Sequence, residues 1–170
     1  MNFLTKDKVV DCLTCWFGAG ALPGPRGTWG SLAALPFAYV IMLLGGAEAL
    51  FVSSIIVFFI GIIVCDLYVK RTKTKDPSFA VIDEVAGQWL GLVTVAHMSL
   101  FYFIIGFFLF RFFDITKLQP AKRLEALDGG LGIMADDMIA GIYTAICIYF
   151  MQIYIPQIYQ IEQNLINILF

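Results

Sequence analysis

Two pairs of adjacent acids, Asp83-Glu84 and Asp136-Asp137, each stand at the mouth of an uncharged hydrophobic tract. Charge at the edge of an apolar segment is costly to desolvate and is kept where it serves an ion or a proton. A helix N-terminus accounts for one such acid, less easily for two. The second pair follows the glycine-rich run Asp128-Gly129-Gly130-Leu131-Gly132, which delivers it to the start of the last apolar helix. Between the pairs lies Arg111-x-x-Asp114-x-x-Lys117, a spacing that puts all three on one helix face. A carboxylate flanked by two cations suits a site holding both a metal and a phosphate, although a plain surface ion pair has the same spacing. Oxygen donors without nearby His or Cys point to Mg²⁺, and Asp83, Glu84, Asp114, Asp136 and Asp137 are its candidate ligands and catalytic groups.

A further polar segment, Gly18 to Leu32, has five glycines and two prolines within residues 18–30, too many for a helix interior. It reads as a loop feeding a helix that starts at Ser31. Its backbone N–H groups, with Arg26, Thr28 and Ser31, could face an anion. Arg111 and Lys117 complete the candidate phosphate-binding set. No Lys follows the last glycine, so it is not a Walker loop, and a membrane-edge turn is the plainer alternative.

The elements that must position these residues are apolar. The 170 residues are 60% hydrophobic, 15% aromatic and 14% charged, against roughly 25% charged in an average soluble domain. A single all-α domain over 1–170, built as a multi-pass helical bundle in a bilayer, is expected. The net charge of −2 with no run of like charges excludes nucleic acid as a partner. Protein partners have no signature. Four tracts alternate with the polar segments. Leu32 to Leu44 and Ala49 to Cys65 read as a helical hairpin about Gly45-Gly46. Val85 to Phe110, as one helix, would be about 39 Å long and overrun a bilayer core. A break near His97-Met98-Ser99 turns it into two short helices that return to the same side, which lets the acids meet. Met138 to Ile155 spans again, and 157–170 lies along the interface. Lys70, Arg71, Lys73 and Lys75, with Arg111, Lys117, Lys122 and Arg123, put both basic segments on the cytosolic side. The N-terminal residues, charged from Asp7 to Asp11, do not form a signal peptide, and this segment is expected to be cytosolic. Cys12, Cys15, Cys65 and Cys147 read as buried small hydrophobes, since one C-x-x-C without partners is weak as a metal or redox motif.

Taken together, these residues resemble the phosphatidylglycerophosphatase A family. The likeness runs from Gly18 to Gly141. It rests on Gly18-x-Gly20 leading to Gly27-Thr28-x-Gly30-Ser31-Leu32, on Asp83-Glu84-Val85-x-Gly87, on Phe110-Arg111-x-x-Asp114-x-x-Lys117, and on Gly129-Gly130-x-Gly132-Ile133-Met134-x-Asp136-Asp137-x-x-Ala140-Gly141. The family commonly has Lys-Pro-x-Pro where this chain has Lys117-Leu118-Gln119-Pro120, and Pro where it has Arg26. Both departures alter loop shape and leave the ligand chemistry intact. The resemblance implies an all-α protein of the bacterial inner membrane. It also implies Mg²⁺-dependent hydrolysis of phosphatidylglycerophosphate to phosphatidylglycerol and inorganic phosphate, with the site facing the cytoplasm. The competing expectation from the intramembrane acids is a small cation-coupled transporter, which needs acids facing one another across a pathway at mid-membrane depth. A non-catalytic assembly subunit would leave both acid pairs unexplained.

Overall fold

The computed structural model describes residues 6–74, 79–96 and 98–169 and is all-helical over them. Lys75 and His97, named above, lie outside these residues. The helices are α1 (Lys6–Thr14), α2 (Arg26–Thr72), α3 (Ile82–Leu92), α4 (Leu100–Thr116), α5 (Ala121–Leu124), α6 (Gly130–Tyr154) and α7 (Gln157–Leu169), with a 3-10 turn at Ala19–Ala21.

Helix α2 is two helices joined at Gly46, where φ is 70° and ψ −168°. A straight run from Gly27 to Asp66 would extend about 58 Å at 1.5 Å per residue. Yet Gly27 borders the Glu84 and Arg111 side chains, while Asp66 accepts a hydrogen bond from the Gly130 N–H at 2.6 Å, and Gly27 and Gly129 line the same cavity. The chain therefore travels out and back, as the Gly45-Gly46 turn signal predicts. Pro36 stands within the first arm without ending it.

The third tract also breaks. Helix α3 stops at Leu92 and α4 starts at Leu100, so Asp83 at the head of α3 and Asp114 near the tail of α4 line one cavity. The intervening turn is stapled from outside. Gln152 of α6 accepts from the Ala96 N–H and donates to the Thr94 carbonyl, both at 2.7 Å. Glu162 of α7 accepts from the Ser99 hydroxyl and, at 2.7 Å, from the Leu100 N–H. Polar backbone that no helix satisfies is thereby paired within protein, as an apolar surrounding demands. Glu162 is buried, so α7, expected only to lie along the interface, also caps α4.

Glycines set the closest helix approach. A Cβ on Gly87 would strike the Asp137 carbonyl, and one on Gly141 would strike the Gly87 carbonyl. Helices α3 and α6 thus cross almost backbone to backbone directly beneath the acids. The Trp89 indole donates to the Ala34 carbonyl at 2.9 Å, and the Ser54 hydroxyl donates to the Ala86 carbonyl at 2.8 Å, which ties α3 to both arms of α2.

Outside this core the surface is apolar. Ile104, Phe108, Phe112 and Ile115 form an exposed stripe along α4, as do Ile142, Ile146, Tyr149 and Ile153 along α6. Among the described residues, α2 and α6 are long and apolar enough to cross a membrane. Only 28% and 44% of their apolar windows are buried, whereas the core helix of a soluble protein is mostly buried. So much exposed apolar surface suits a membrane surrounding. The cysteines divide: Cys15 and Cys65 are buried, Cys147 is half-buried, and Cys12 is exposed on the polar helix α1, against the expectation of burial for all four.

Candidate active site

The polar cavity, about 890 Å³ in volume, collects residues from every segment singled out in the sequence. Asp83 and Glu84 come from the first turn of α3, Asp114 from the last turns of α4, and Asp136 and Asp137 from the second turn of α6. All five line it. They do not play one part. Carboxylate oxygens of Asp83, Glu84 and Asp137 lie within 4.8 Å of one another. Asp114 instead forms an ion pair with Arg111 at 2.5 Å, and Asp136 accepts from Lys117 at 2.8 Å.

Three like charges so close repel unless something positive joins them. Asp83 Oδ1, Glu84 Oε2 and Asp136 Oδ1 are buried with no hydrogen-bond partner. Orphaned buried oxygens from converging carboxylates fit a hard divalent cation, and among the described residues no His or Cys lines the cavity to favour a softer one. The residues present therefore fit Mg²⁺.

The cations are held in place. Arg111 reaches Asp114, approaches Glu84 at 3.9 Å and donates to the Ser31 hydroxyl at 3.5 Å. Lys117 bridges Asp136 and Glu125, the latter at 2.6 Å. Burial lowers the Lys117 ammonium, but its hydrogen bonds to Asp136 and Glu125 outweigh this and hold it above its usual range. Lys117 does not share the α4 face with Arg111 and Asp114, contrary to the spacing argument. The helix ends at Thr116, and Lys117 takes a left-handed φ of 45° at its C-cap, which turns its side chain toward α6.

The glycine-rich segment differs from expectation too. Helix α2 starts at Arg26, not Ser31, so Gly27 and Gly30 are helical. Their role is close approach: a Cβ on Gly27 would collide with Glu84 and Arg111, and one on Gly30 with Val81. Arg26 lines the cavity. Thr28 and Ser31 do not line it; Ser31 is fully buried, donates to the Gly27 carbonyl at 2.9 Å and receives Arg111. Likewise Asp136 and Asp137 sit seven and eight residues into a helix that begins at Gly130.

Two residues escaped the sequence reading. Asp66 caps the head of α6 through the Gly130 N–H, and Glu125 lines the cavity and holds Lys117. Asp66 had a signal, a lone acid closing an apolar tract; Glu125 had none. The carboxylates cluster at one end of the helices and line one cavity, which lends no support to a cation pathway between facing acids.

Comparison with known proteins agrees with this geometry. Over 144 residues the chain is 32% identical to phosphatidylglycerophosphatase A of Haemophilus influenzae, covering 84% of this chain and 88% of that one. It is 34% identical to phosphatidylglycerophosphatase A of Escherichia coli over 142 residues, covering 81% and 80%. A Bacteroides thetaiotaomicron protein named as a candidate phosphatidylinositol-3-phosphatase is 35% identical over 144 residues, covering 78% and 86%. No solved structure matches. The family model for phosphatidylglycerophosphatase A matches residues 12–152, the stretch that holds the acid cluster, its two cations and the helices that carry them, and the chain belongs to that family.

Proposed function

We propose that this protein removes the terminal phosphate of phosphatidylglycerophosphate, giving phosphatidylglycerol and inorganic phosphate, at the cytosolic face of the bacterial inner membrane. It is read as a multi-pass helical bundle, with the two arms of α2, the α3–α4 hairpin and α6 in the bilayer. The observation that carries the reading is the meeting of Asp83, Glu84 and Asp137 within 4.8 Å in a cavity also lined by Arg26 and Lys117, in a member of this family.

In the reaction a water oxygen replaces the glycerol oxygen on phosphorus, and the departing alkoxide takes a proton. Asp83, Glu84 and Asp137 would hold Mg²⁺, which when bound supplies positive charge against that developing on the phosphoryl oxygens. Lys117 and Arg26 line the same space and offer N–H donors to the phosphate. Asp136 keeps one oxygen on Lys117 and the other without a partner, which suits it to orient water. Arg111, fixed by Asp114 and Ser31, balances Glu84 from the side.

The test is phosphate release from phosphatidylglycerophosphate in mixed micelles, with and without Mg²⁺. Wild-type protein should be active only with the ion. Asp137→Asn should lose roughly a thousand-fold in rate with an unchanged far-UV circular dichroism spectrum. Near-normal turnover by the folded variant would remove Asp137 from the site, and undiminished release after chelation would remove the metal.

A further inference from the structure

A lipid whose phosphate reaches the buried carboxylates must lead its chains out of a polar cavity along an apolar surface, because hydrating them is unfavourable in proportion to their area. One exit is visible. Leu22 lines both the acid cavity and an adjoining groove of about 400 Å³ walled by Trp16, Phe17, Ala33 and Phe37. We infer that this aromatic groove seats the glycerol-proximal part of the acyl chains of the lipid substrate; this rests on the lipid phosphatase reading above.

The groove is built, not incidental. Phe17 and Phe37 are 62% and 46% exposed and stack at 6.3 Å with a 17° tilt, while Trp16 meets Phe37 edge-on at 5.5 Å and Trp89 at 5.6 Å. Trp16 and Phe17 take left-handed φ values of 45° and 54°, a region that aromatic residues rarely occupy. The turn is locked by the Phe17 N–H on the Cys12 carbonyl at 2.8 Å and the Gly20 N–H on the Cys15 carbonyl at 3.0 Å. A strained, hydrogen-bonded turn thus holds Phe17 outward beside the start of α2. Pro23, next to Leu22 and itself on the cavity wall, accepts from the Trp29 indole at 3.0 Å. Ala33 and Phe37 follow Gly27 by about two and three helical turns, so the groove continues from the site along the first apolar arm. A lipid with its phosphate at the carboxylates and its chains running along that arm fits this order of polar cavity, Leu22 and aromatic groove.

The experiment uses the full-length protein in nanodiscs of phosphatidylglycerol and phosphatidylethanolamine. The probe is a non-hydrolysable phosphonate analogue of phosphatidylglycerophosphate bearing a diazirine near the ester end of one acyl chain. After irradiation, labelled peptides should map within residues 16–37. Labels confined to α4 or α6 would overturn the proposal, as would labels on a co-purifying protein seated in the groove. In parallel, Phe17→Ser and Phe37→Ser, at exposed positions, should each raise KM for the long-chain lipid roughly ten-fold. KM for the deacylated headgroup, the same phosphomonoester without chains, should not move. Equal losses on both substrates, or none on the lipid, would count against the groove. Absence of phosphate release by wild-type protein would instead strike the phosphatase reading, which the labelling does not require.

Discussion

At the scale of single residues, the site separates carboxylates that converge on one another from carboxylates that hold the side-chain cations. Asp83, Glu84 and Asp137 form the first kind, Asp114 and Asp136 the second. The consequence for pH follows from the convergence of the first three. The ion needs the deprotonated groups, so protons compete with it. The half-saturating Mg²⁺ concentration for phosphate release should therefore fall as pH rises from about 6 to about 8. A half-saturating concentration that is flat or climbs over this range would separate these acids from ion binding. The residue types and their adjacency were legible in the sequence; their division was not, because it depends on which oxygen each cation reaches after folding.

Among the elements, the α3–α4 hairpin decides whether a site exists. As one straight helix its two ends would stand about 47 Å apart between Asp83 and Asp114 at 1.5 Å per residue. The break at the turn lets both line one cavity. The excess length of the tract foretold the break, but its stabilisation comes from residues 152 and 162, far along the chain. Replacing Glu162 by Ala leaves the Leu100 N–H and the buried Ser99 hydroxyl without their acceptor. The expected cost is about 1–3 kcal/mol, read as a lowered thermal midpoint in detergent, with phosphate release near normal at low temperature. An unchanged midpoint would show that the cap carries no stability. Helix α2 shows the opposite limit of pattern reading. Glycine density argues for a loop at 18–30, yet Gly27 and Gly30 are helical, and neighbouring side chains leave no room there for a Cβ. Composition alone does not distinguish a glycine kept for its backbone freedom from one kept for close approach.

For the whole molecule, the arrangement is apolar outside and charged within one end. Orientation in the bilayer has a natural reporter in Cys12, which is exposed on α1, a helix tied to the tail of α2 through Arg71 with Asp7 and Asp11. A membrane-impermeant maleimide should label Cys12 in inverted inner-membrane vesicles and not in right-side-out spheroplasts, and Cys12→Ser should abolish the label. Labelling from the periplasmic side would reverse the proposed orientation. By itself the sequence determined the helical class, the apolar surface, the reversals at Gly46 and before Leu100, and the identity of the acids, because hydrophobic tract length and acid placement are local properties of the chain. Only the tertiary structure decided that three of five carboxylates share an ion-sized space while two hold cations, that Ser31 supports Arg111 behind the cavity wall, and that Glu125 and Asp66 belong with them. Those are distances between residues remote in the chain, set by how closely α2, α3 and α6 pack across their glycines, and no local pattern encodes them.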